Sequence, residues 1–174
     1  MIKVIFADIN NTLVNTLSGK TFPIGIWDVK PNMSVWEKLR EWADIIFPEQ
    51  AYLFLITNEG GIERGFTSNR AFFSKLDFVT HSLQEFLNYR IIVDFEFYPF
   101  NDQNSLYRKP NYGMLRTLIN KYFEGRIPLK TNQILMIGDA SGKPGQFSNS
   151  DKQCAANAGI PYCDVEDFIN FKFE

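Results

Sequence analysis

Four apolar runs, separated by segments with a helical period, constrain the fold of this chain more than any other feature. The runs cover residues 2–7, 52–56, 91–97 and 134–137. Their β-branched and aromatic residues, bounded by polar residues or glycine, are typical of strands buried on both faces. Between the runs, apolar residues recur with the spacing of a helix, as at Val35, Leu39, Trp42 and Ile46. The alternation predicts an α/β fold with a Rossmann-like parallel sheet and helices on both faces.

Length and composition fit a single domain over residues 1–174. A chain of this length buries roughly two thirds of its unfolded surface in one core. Charged residues make up 22% of the sequence, close to the globular average, which argues against disorder. The segment 140–150, rich in Gly, Pro and Ser, is predicted to be one functional loop.

Charge and cysteine content narrow the possible partners and compartments. The net charge is −2 and no block of Lys or Arg is present, so a nucleic-acid partner would have to bind through a local patch. Cys154 and Cys163 are too few for a disulfide framework and lack zinc-binding spacing, which predicts a reducing, intracellular location in cytoplasm or nucleus. No apolar run of membrane length and no targeting signal is found, which predicts no membrane partner.

Polar residues suited to catalysis or ligand binding follow the predicted strands. In parallel sheets, ligands bind beyond the carboxyl ends of the strands. Asp8 follows the first run and is a candidate nucleophile, with a helix cap or loop hydrogen bond as the alternative. Thr57 and Asn58 follow the second run and precede two glycines whose N–H groups can approach a phosphate. The fourth run leads to Asp139, a hard oxygen ligand suited to Mg²⁺, while Lys109 in YRKP supplies a cation.

In this order, the motifs between Asp8 and Asp151 resemble those of the haloacid dehalogenase (HAD) superfamily of phosphatases. The resemblance implies that Asp8 attacks phosphorus and forms an aspartyl-phosphate, while Thr57 holds a phosphoryl oxygen. It also implies that Lys109 neutralises charge and that Asp139 helps to hold Mg²⁺. These roles agree with the chemistry of phosphoryl transfer, which depends mainly on positioning and electrostatics.

Four longer motifs give a closer resemblance, to the 3′-phosphatase domain of polynucleotide kinase/phosphatases. They are SGKTFP, TNEGGIERG, YRKPNYGM and GDASGKPGQFSNSDKQCAANAGIPY. The implied substrate is a 3′-phosphorylated end of DNA or RNA. Ser18 and Lys20 are then expected in a flap beside the substrate, Arg64 and Arg108 at the nucleic-acid backbone, and Asp151 in support of the metal loop. Two alternatives stay open, namely Arg64 as a solvated loop residue and Asp151 as the N-terminal acid of a helix.

The resemblance also bears on the cap and on possible partners. HAD phosphatases carry caps after the first or second motif, and here these intervals hold only a short flap over 17–30 and one helix over 65–88. This minimal cap predicts an open cleft that accepts a polymer end, lined by a basic track of Lys20, Arg64, Arg70 and Arg108. The GKT triplet is not a P-loop, because Val14 stands where its first glycine is required. A kinase or ligase would therefore be a separate partner.

Asn10 departs from the family pattern, which places an Asp two residues after the nucleophile as general acid and base. Asn10 can still ligate Mg²⁺ through its backbone carbonyl but cannot transfer protons, so turnover is expected to be slow or absent. Because the other motif residues are present, a deliberate inactivating substitution is favoured over a decayed natural site. The rival hypotheses are a small-molecule phosphatase similar to histidinol-phosphate or sugar-phosphate members, and a non-catalytic protein that binds nucleic-acid ends.

Overall fold

The computed structural model describes residues 1–23, 25–125 and 128–173, which form a parallel sheet and a small hairpin. The strands are β1 (Val4–Ala7), β2 (Val14–Thr16), β3 (Val29–Pro31), β4 (Ala51–Asn58), β5 (Ile91–Tyr98), β6 (Ile134–Gly138) and β7 (Tyr162–Asp164). Five of them pair in the order β5-β4-β1-β6-β7, and every neighbouring pair is parallel. The predicted parallel α/β sheet is confirmed.

Helices cover both faces of this sheet, as the sequence predicted. They are α1 (Met33–Ile46), α2 (Asn69–Phe86), α3 (Gly113–Phe123), α4 (Ser150–Ala158) and α5 (Val165–Phe168). Side chains on one face of β1, such as Ile5, pack with α1, α2 and α5. The alternate side chains, such as Phe6, pack with α3 and α4. Successive residues of a strand point to opposite faces, so one buried strand serves two cores. In the described ranges, no helix is both long and apolar enough to cross a bilayer.

The predicted strands differ from the observed ones mainly at the sheet edges. The prediction that all four runs are buried on both faces is wrong for β5, where only Ile91 is buried and residues 92–98 are half-buried. The reason is topological, because β5 has a neighbour on one side only. The strand β7 was not predicted, since three residues are too few to show a period.

The two intervals predicted to form a minimal cap are short. Strands β2 and β3 pair antiparallel, and the segment between them ends in a 3₁₀ helix, Ile26–Asp28. Residue 24 of the predicted flap lies outside the described residues. The second interval differs from the prediction of one helix over 65–88, because α2 begins only at Asn69, where the Ser68 hydroxyl accepts a hydrogen bond from the Ala71 amide and caps the helix.

Candidate active site

The polar residues that follow β1, β4 and β6 meet at one edge of the sheet. Ala7 is in register with Leu55 on one side and Ile137 on the other. The three chains therefore leave the sheet together, and the amide of Asp8 donates a hydrogen bond to the Ile137 carbonyl at 3.1 Å. The Asp8 residue is only 8% exposed, so its carboxylate is nearly buried at this edge.

Lys109 is brought to this edge and holds the Asp8 carboxylate. Its ammonium lies 2.5 Å from Asp8 Oδ1 and 2.8 Å from Asp151 Oδ1, and it donates to the Ile56 carbonyl at 3.1 Å. The Asn58 side chain fixes the Lys109 backbone, since its amide donates to the Lys109 carbonyl and its oxygen accepts from the Lys109 amide, both at 3.0 Å. Asn58 thus positions the lysine, and its contact with substrate stays a prediction.

Three carboxylates gather beside this lysine. One oxygen from each of Asp8, Asp139 and Asp151 can lie within 4.8 Å of the others. Asp151 stands in the first turn of α4, where its Oδ2 accepts a hydrogen bond from the Ala140 amide. Its fit depends on Gly138, because a Cβ at that position would lie 2.3 Å from Asp151 Oδ2. The sequence predicted Asp151 only as a support, whereas the structure places its carboxylate within the cluster.

The cluster fits a divalent cation in both donor type and charge. Mg²⁺ prefers carboxylate and carbonyl oxygens, and among the residues described here three carboxylates lie together, two of which pair with one buried lysine. Burial raises the pKa of Asp8 to about 7. The charge of Lys109 lowers this pKa, while the charges of Asp151 and Asp139 raise it further. Burial and the charge of Asp151 also raise the pKa of Asp139. The surplus negative charge is what a bound cation would neutralise. Ligation by the Asn10 carbonyl stays a prediction.

Lys109 keeps its charge despite being buried. Burial would lower the pKa of its ammonium, but the carboxylates of Asp151 and Asp8 outweigh this and raise the pKa above the ordinary value. A permanently charged ammonium therefore lies next to the candidate nucleophile.

The raised pKa of Asp8 predicts a pH dependence of stability in the metal-free protein. The folded state binds the Asp8 proton more tightly than the unfolded state does. The stabilising contribution of protonated Asp8 is therefore complete below about pH 4 and is lost as the pH rises through about 7. Thermal unfolding in EDTA should show that Asp8→Asn removes this loss, so the variant gains relative to the parent between pH 4 and 8. If the difference in stability between Asp8→Asn and the parent does not change between pH 4 and 8, the raised pKa of Asp8 is contradicted.

A second buried group of polar side chains adjoins Asn10 and Thr57. Glu59 Oε1 lies 3.2 Å from Lys75 Nζ, accepts from the Thr57 hydroxyl at 3.2 Å and accepts from the Asn10 amide at 3.4 Å. Lys75 also donates to Asn10 Oδ1 at 3.4 Å. Sequence reasoning missed Glu59 and Lys75. One signal was present, because Lys75 interrupts the apolar stripe of α2 between Phe72 and Leu76.

The residues predicted to contact substrate lie on loops around this edge. The Ser18 amide and hydroxyl both donate to the carboxylate of buried Asp28, at 2.6 and 2.8 Å, which ties the flap together. Lys20 and Arg64 are exposed. Arg108 is half-buried and donates to the Phe100 carbonyl, while burial and the nearby charge of Arg64 lower the pKa of its guanidinium. Substrate contacts by these four predicted residues, Ser18, Lys20, Arg64 and Arg108, stay predictions.

The fold and the order of these residues define the class of protein, a HAD-like phosphatase. Two solved structures share the fold. One is D,D-heptose 1.7-bisphosphate phosphatase from B. bronchiseptica complexed with magnesium and phosphate, with 16% identity, a TM-score of 0.64 and 97% of each chain covered. The other is a protein from Mesorhizobium loti described as HAD-like, with 18% identity, a TM-score of 0.68, and coverage of 97% of this chain and 85% of that one.

Within this class, the chain belongs to the polynucleotide kinase 3 phosphatase family, whose model matches residues 3–169. A curated relative is the bifunctional polynucleotide phosphatase/kinase of Schizosaccharomyces pombe, 27% identical over 169 residues. The match covers 96% of this chain but only 37% of the length of that relative.

Proposed function

We propose that this protein is a polynucleotide 3′-phosphatase, which removes a terminal 3′-phosphate from DNA or RNA through an aspartyl-phosphate intermediate. The observation that carries the reaction type is the buried Asp8 carboxylate held 2.5 Å from Lys109 within the cluster of Asp139 and Asp151. The substrate class, a polynucleotide end, is inferred from family membership. The product would be a 3′-hydroxyl, which a polymerase or a ligase can use.

In this reaction, Asp8 attacks the phosphorus atom and displaces the 3′-oxygen of the nucleic acid. Lys109 offsets the negative charge at the reacting group, and the Thr57 hydroxyl holds a phosphoryl oxygen. Asn58 keeps Lys109 in place through its two hydrogen bonds to the lysine backbone. Water then attacks the aspartyl-phosphate and releases inorganic phosphate, which restores Asp8.

Asp8, Asp139 and the Asn10 carbonyl are proposed to hold Mg²⁺, with Asp151 close enough to contribute a ligand or fix the loop. When bound, the ion supplies charge neutralisation for the transferring phosphoryl group and orients it toward Asp8. The cluster lacks His and Cys ligands, which favours a hard cation over zinc in this part of the chain.

Exposed basic and aromatic side chains on the surrounding loops support a nucleic-acid substrate. Phe147, in the loop after β6, is 84% exposed and makes an edge contact with Phe22 of the flap, with ring centroids 6.4 Å apart. Phe66, in the loop after β4, is 80% exposed. Aromatic side chains beside Lys20 and Arg64 are suited to stacking on bases while the cations contact phosphates. The net charge of −2 requires that this binding be local.

The test is phosphate release from a 3′-phosphorylated oligonucleotide with Mg²⁺, compared with a small phosphate ester. Asn10 leaves position 10 without a carboxylate, so the parent is expected to be slow, and Asn10→Asp is expected to raise kcat by up to about 10²–10⁴-fold. Activity on the oligonucleotide should fall steeply with salt, because phosphate contacts release counterions.

Each rival hypothesis has its own outcome in this experiment. A preference for the small ester, with no competition from unlabelled oligonucleotide, would indicate a small-molecule phosphatase. Tight binding of the 3′-phosphorylated end without turnover in either protein would indicate a non-catalytic end-binding protein. An exposed control, Asp77→Asn, makes the reverse exchange of carboxylate and amide on the surface of α2 and should behave as the parent does.

A further inference from the structure

Asp164 is a buried carboxylate for which the proposed reaction has so far no use. It is 5% exposed and ends β7, where it is in register with Gly138, the last residue of β6. The residue therefore lies beside the point at which the chain leaves the sheet toward Asp139. A buried carboxylate is costly unless it is paired, so its partners indicate its purpose. We propose that Asp164 is a positioning residue that holds the loop after β6 and thereby presents Asp139 to Mg²⁺, an inference that rests on the metal-binding part of the proposed function.

The Asp164 carboxylate binds the loop after β6, residues 139–149, through three side chains. Its Oδ2 accepts hydrogen bonds from the Ser141 hydroxyl at 2.6 Å and from the Gln146 amide at 2.8 Å. Its Oδ1 lies 3.1 Å from the ammonium of Lys143. One buried carboxylate of the sheet therefore restrains the first half of the loop at three positions.

Gln146 passes this restraint on to the loop backbone. Its side-chain oxygen accepts hydrogen bonds from the Ser141 amide at 2.8 Å and from the Lys143 amide at 3.1 Å, while its NH₂ group donates to Asp164. An amide side chain accepts at one end and donates at the other, so Gln146 links the carboxylate to the peptide groups of the loop. The backbone is thus held two residues after Asp139.

Asp139 lies between this anchor and the sheet. On its amino-terminal side, the chain is paired with β1 and β7 as part of β6. On its carboxyl-terminal side, the Ala140 amide donates to Asp151 Oδ2 at 3.2 Å, and Ser141 is held by Asp164. The backbone of Asp139 is therefore restrained in both directions. A metal ligand restrained in this way loses less freedom when the ion binds, which increases the affinity.

The surroundings of Asp164 keep it ionised although it is buried. Burial acts to raise its pKa, but the hydrogen bonds from Ser141, Gln146 and the first turn of α5, together with the ammonium of Lys143, outweigh burial and lower the pKa. A carboxylate accepts hydrogen bonds at both oxygens, whereas an Asn at this position would turn an NH₂ group toward a donor. Asp164→Asn therefore keeps the shape of the side chain and loses part of its hold on the loop.

The experiment measures binding of Mn²⁺ to the substrate-free protein by electron paramagnetic resonance. Mn²⁺ takes the same oxygen ligands as Mg²⁺, and Asp139→Asn, which removes a proposed ligand, identifies the signal of this cluster. We expect Asp164→Asn to raise the Kd for Mn²⁺ by about 10–100-fold, the range typical of partners that orient a metal ligand. An unchanged Kd in the folded Asp164→Asn protein would overturn the proposal.

A second variant separates the hold on the loop from the stability of α5. Asp164 also caps this helix, since its Oδ1 accepts a hydrogen bond from the Glu166 amide at 3.0 Å. Asp164→Ser keeps an oxygen that can cap the helix but is too short to reach the partners in the loop. It should weaken Mn²⁺ binding as much as Asp164→Asn does. Binding as tight as in the parent would mean that only the cap matters, and the proposal would be wrong.

Two changes away from position 164 complete the set. Gln146→Leu removes the link to the loop backbone without touching β7, and it should raise the Kd for Mn²⁺ by about 10-fold even if the Asp164 variants fail to fold. Asp167→Asn is the matched control, because Asp167 also lies 3.0 Å from Lys143 but its side chain is 69% exposed. Its Kd should stay within about 2-fold of the parent. An equal loss from Asp167→Asn would assign the effect to the charge of Lys143 and overturn the proposal.

The Mg²⁺ dependence of activity distinguishes positioning from a general loss of structure. In the Asn10→Asp protein, Asp164→Asn should raise the Mg²⁺ concentration for half-maximal activity by about 10–100-fold, while kcat at saturating Mg²⁺ stays within about 3-fold. A loss of kcat that Mg²⁺ does not restore would contradict a positioning role.

Failure of this inference can be told apart from failure of the proposed function. If the parent binds Mn²⁺ through Asp139 and Asp164→Asn binds it equally well, only the role of Asp164 is wrong. If the parent binds no better than Asp139→Asn, the proposed metal site fails and the inference fails with it. If the Mn²⁺ results are as expected but Asn10→Asp leaves the oligonucleotide untouched, the substrate assignment fails while the role of Asp164 is supported.

Discussion

Replacing Asp8 with Asn in the Asn10→Asp protein is expected to abolish phosphate release from every substrate, a loss of at least about 10⁴-fold in kcat. An amide is too weak a nucleophile to attack phosphorus, and Asp151 is held in place by Lys109 and by the Ala140 amide from the first turn of α4. The Asn side chain has nearly the same shape, so the pocket of Asp8 should persist. Single-turnover assays with a labelled 3′-phosphate give the measurement, with acid-stable labelling of the protein as a second readout for the intermediate.

Binding should survive this change even though the chemistry does not. The exposed loop residues proposed to bind nucleic acid, Lys20, Arg64 and Phe66, are distinct from Lys109, which pairs with Asp8. Anisotropy of a fluorescent 3′-phosphorylated oligonucleotide should therefore report an affinity close to that of the parent. Turnover or labelling within 10-fold of the Asn10→Asp protein would contradict the assignment of Asp8 as nucleophile. Asp77→Asn serves again as the exposed control of the same chemistry.

The sequence predicted the sheet well because its central strands are continuous apolar runs. Strands β1, β4 and β6 are buried throughout or nearly so, which makes composition alone informative. Their polar followers could then be placed together, since parallel strands end at one edge. The edge strands β5 and β7 were predicted less well, because their exposure depends on how many neighbours they have, and no local pattern encodes that.

Side-chain partners across elements were not predictable in the same way. The contact between Lys75 and Glu59 depends on how α2 is rotated against β4, which is a tertiary property. The same holds for Asn58, whose hydrogen bonds to the Lys109 backbone join residues 51 positions apart. From the sequence, Asp151 could support the metal loop or serve as the N-terminal acid of a helix. Only the packing of α4 against Gly138 brings its carboxylate to Lys109. Motif order predicted that these residues lie together, while packing determines which of them touch.

Lys109→Met is expected to be the most destabilising change at this site and to lower kcat by at least about 10²–10³-fold. The lysine is 4% exposed and contacts both Asp8 and Asp151. Without it, two buried carboxylates lose their countercharge, and breaking a buried ion pair in this way typically costs about 3–5 kcal/mol. Urea unfolding in EDTA measures the free energy of unfolding. Lys121→Met is the matched control, since Lys121 pairs with Asp94 at the surface and should cost at most about 1 kcal/mol.

Two further measurements test whether the loss at Lys109 comes from the unpaired carboxylates. Mg²⁺ should raise the melting temperature of Lys109→Met more than that of the parent, because a divalent cation held by the carboxylates replaces part of the missing charge. Adding Asp8→Asn to Lys109→Met should restore stability, since one carboxylate is then neutral and the two changes share a single ion pair. Strictly additive losses, or an equal Mg²⁺ effect in both proteins, would mean that Lys109 stabilises the fold by packing alone and that its charge is not coupled to the nucleophile.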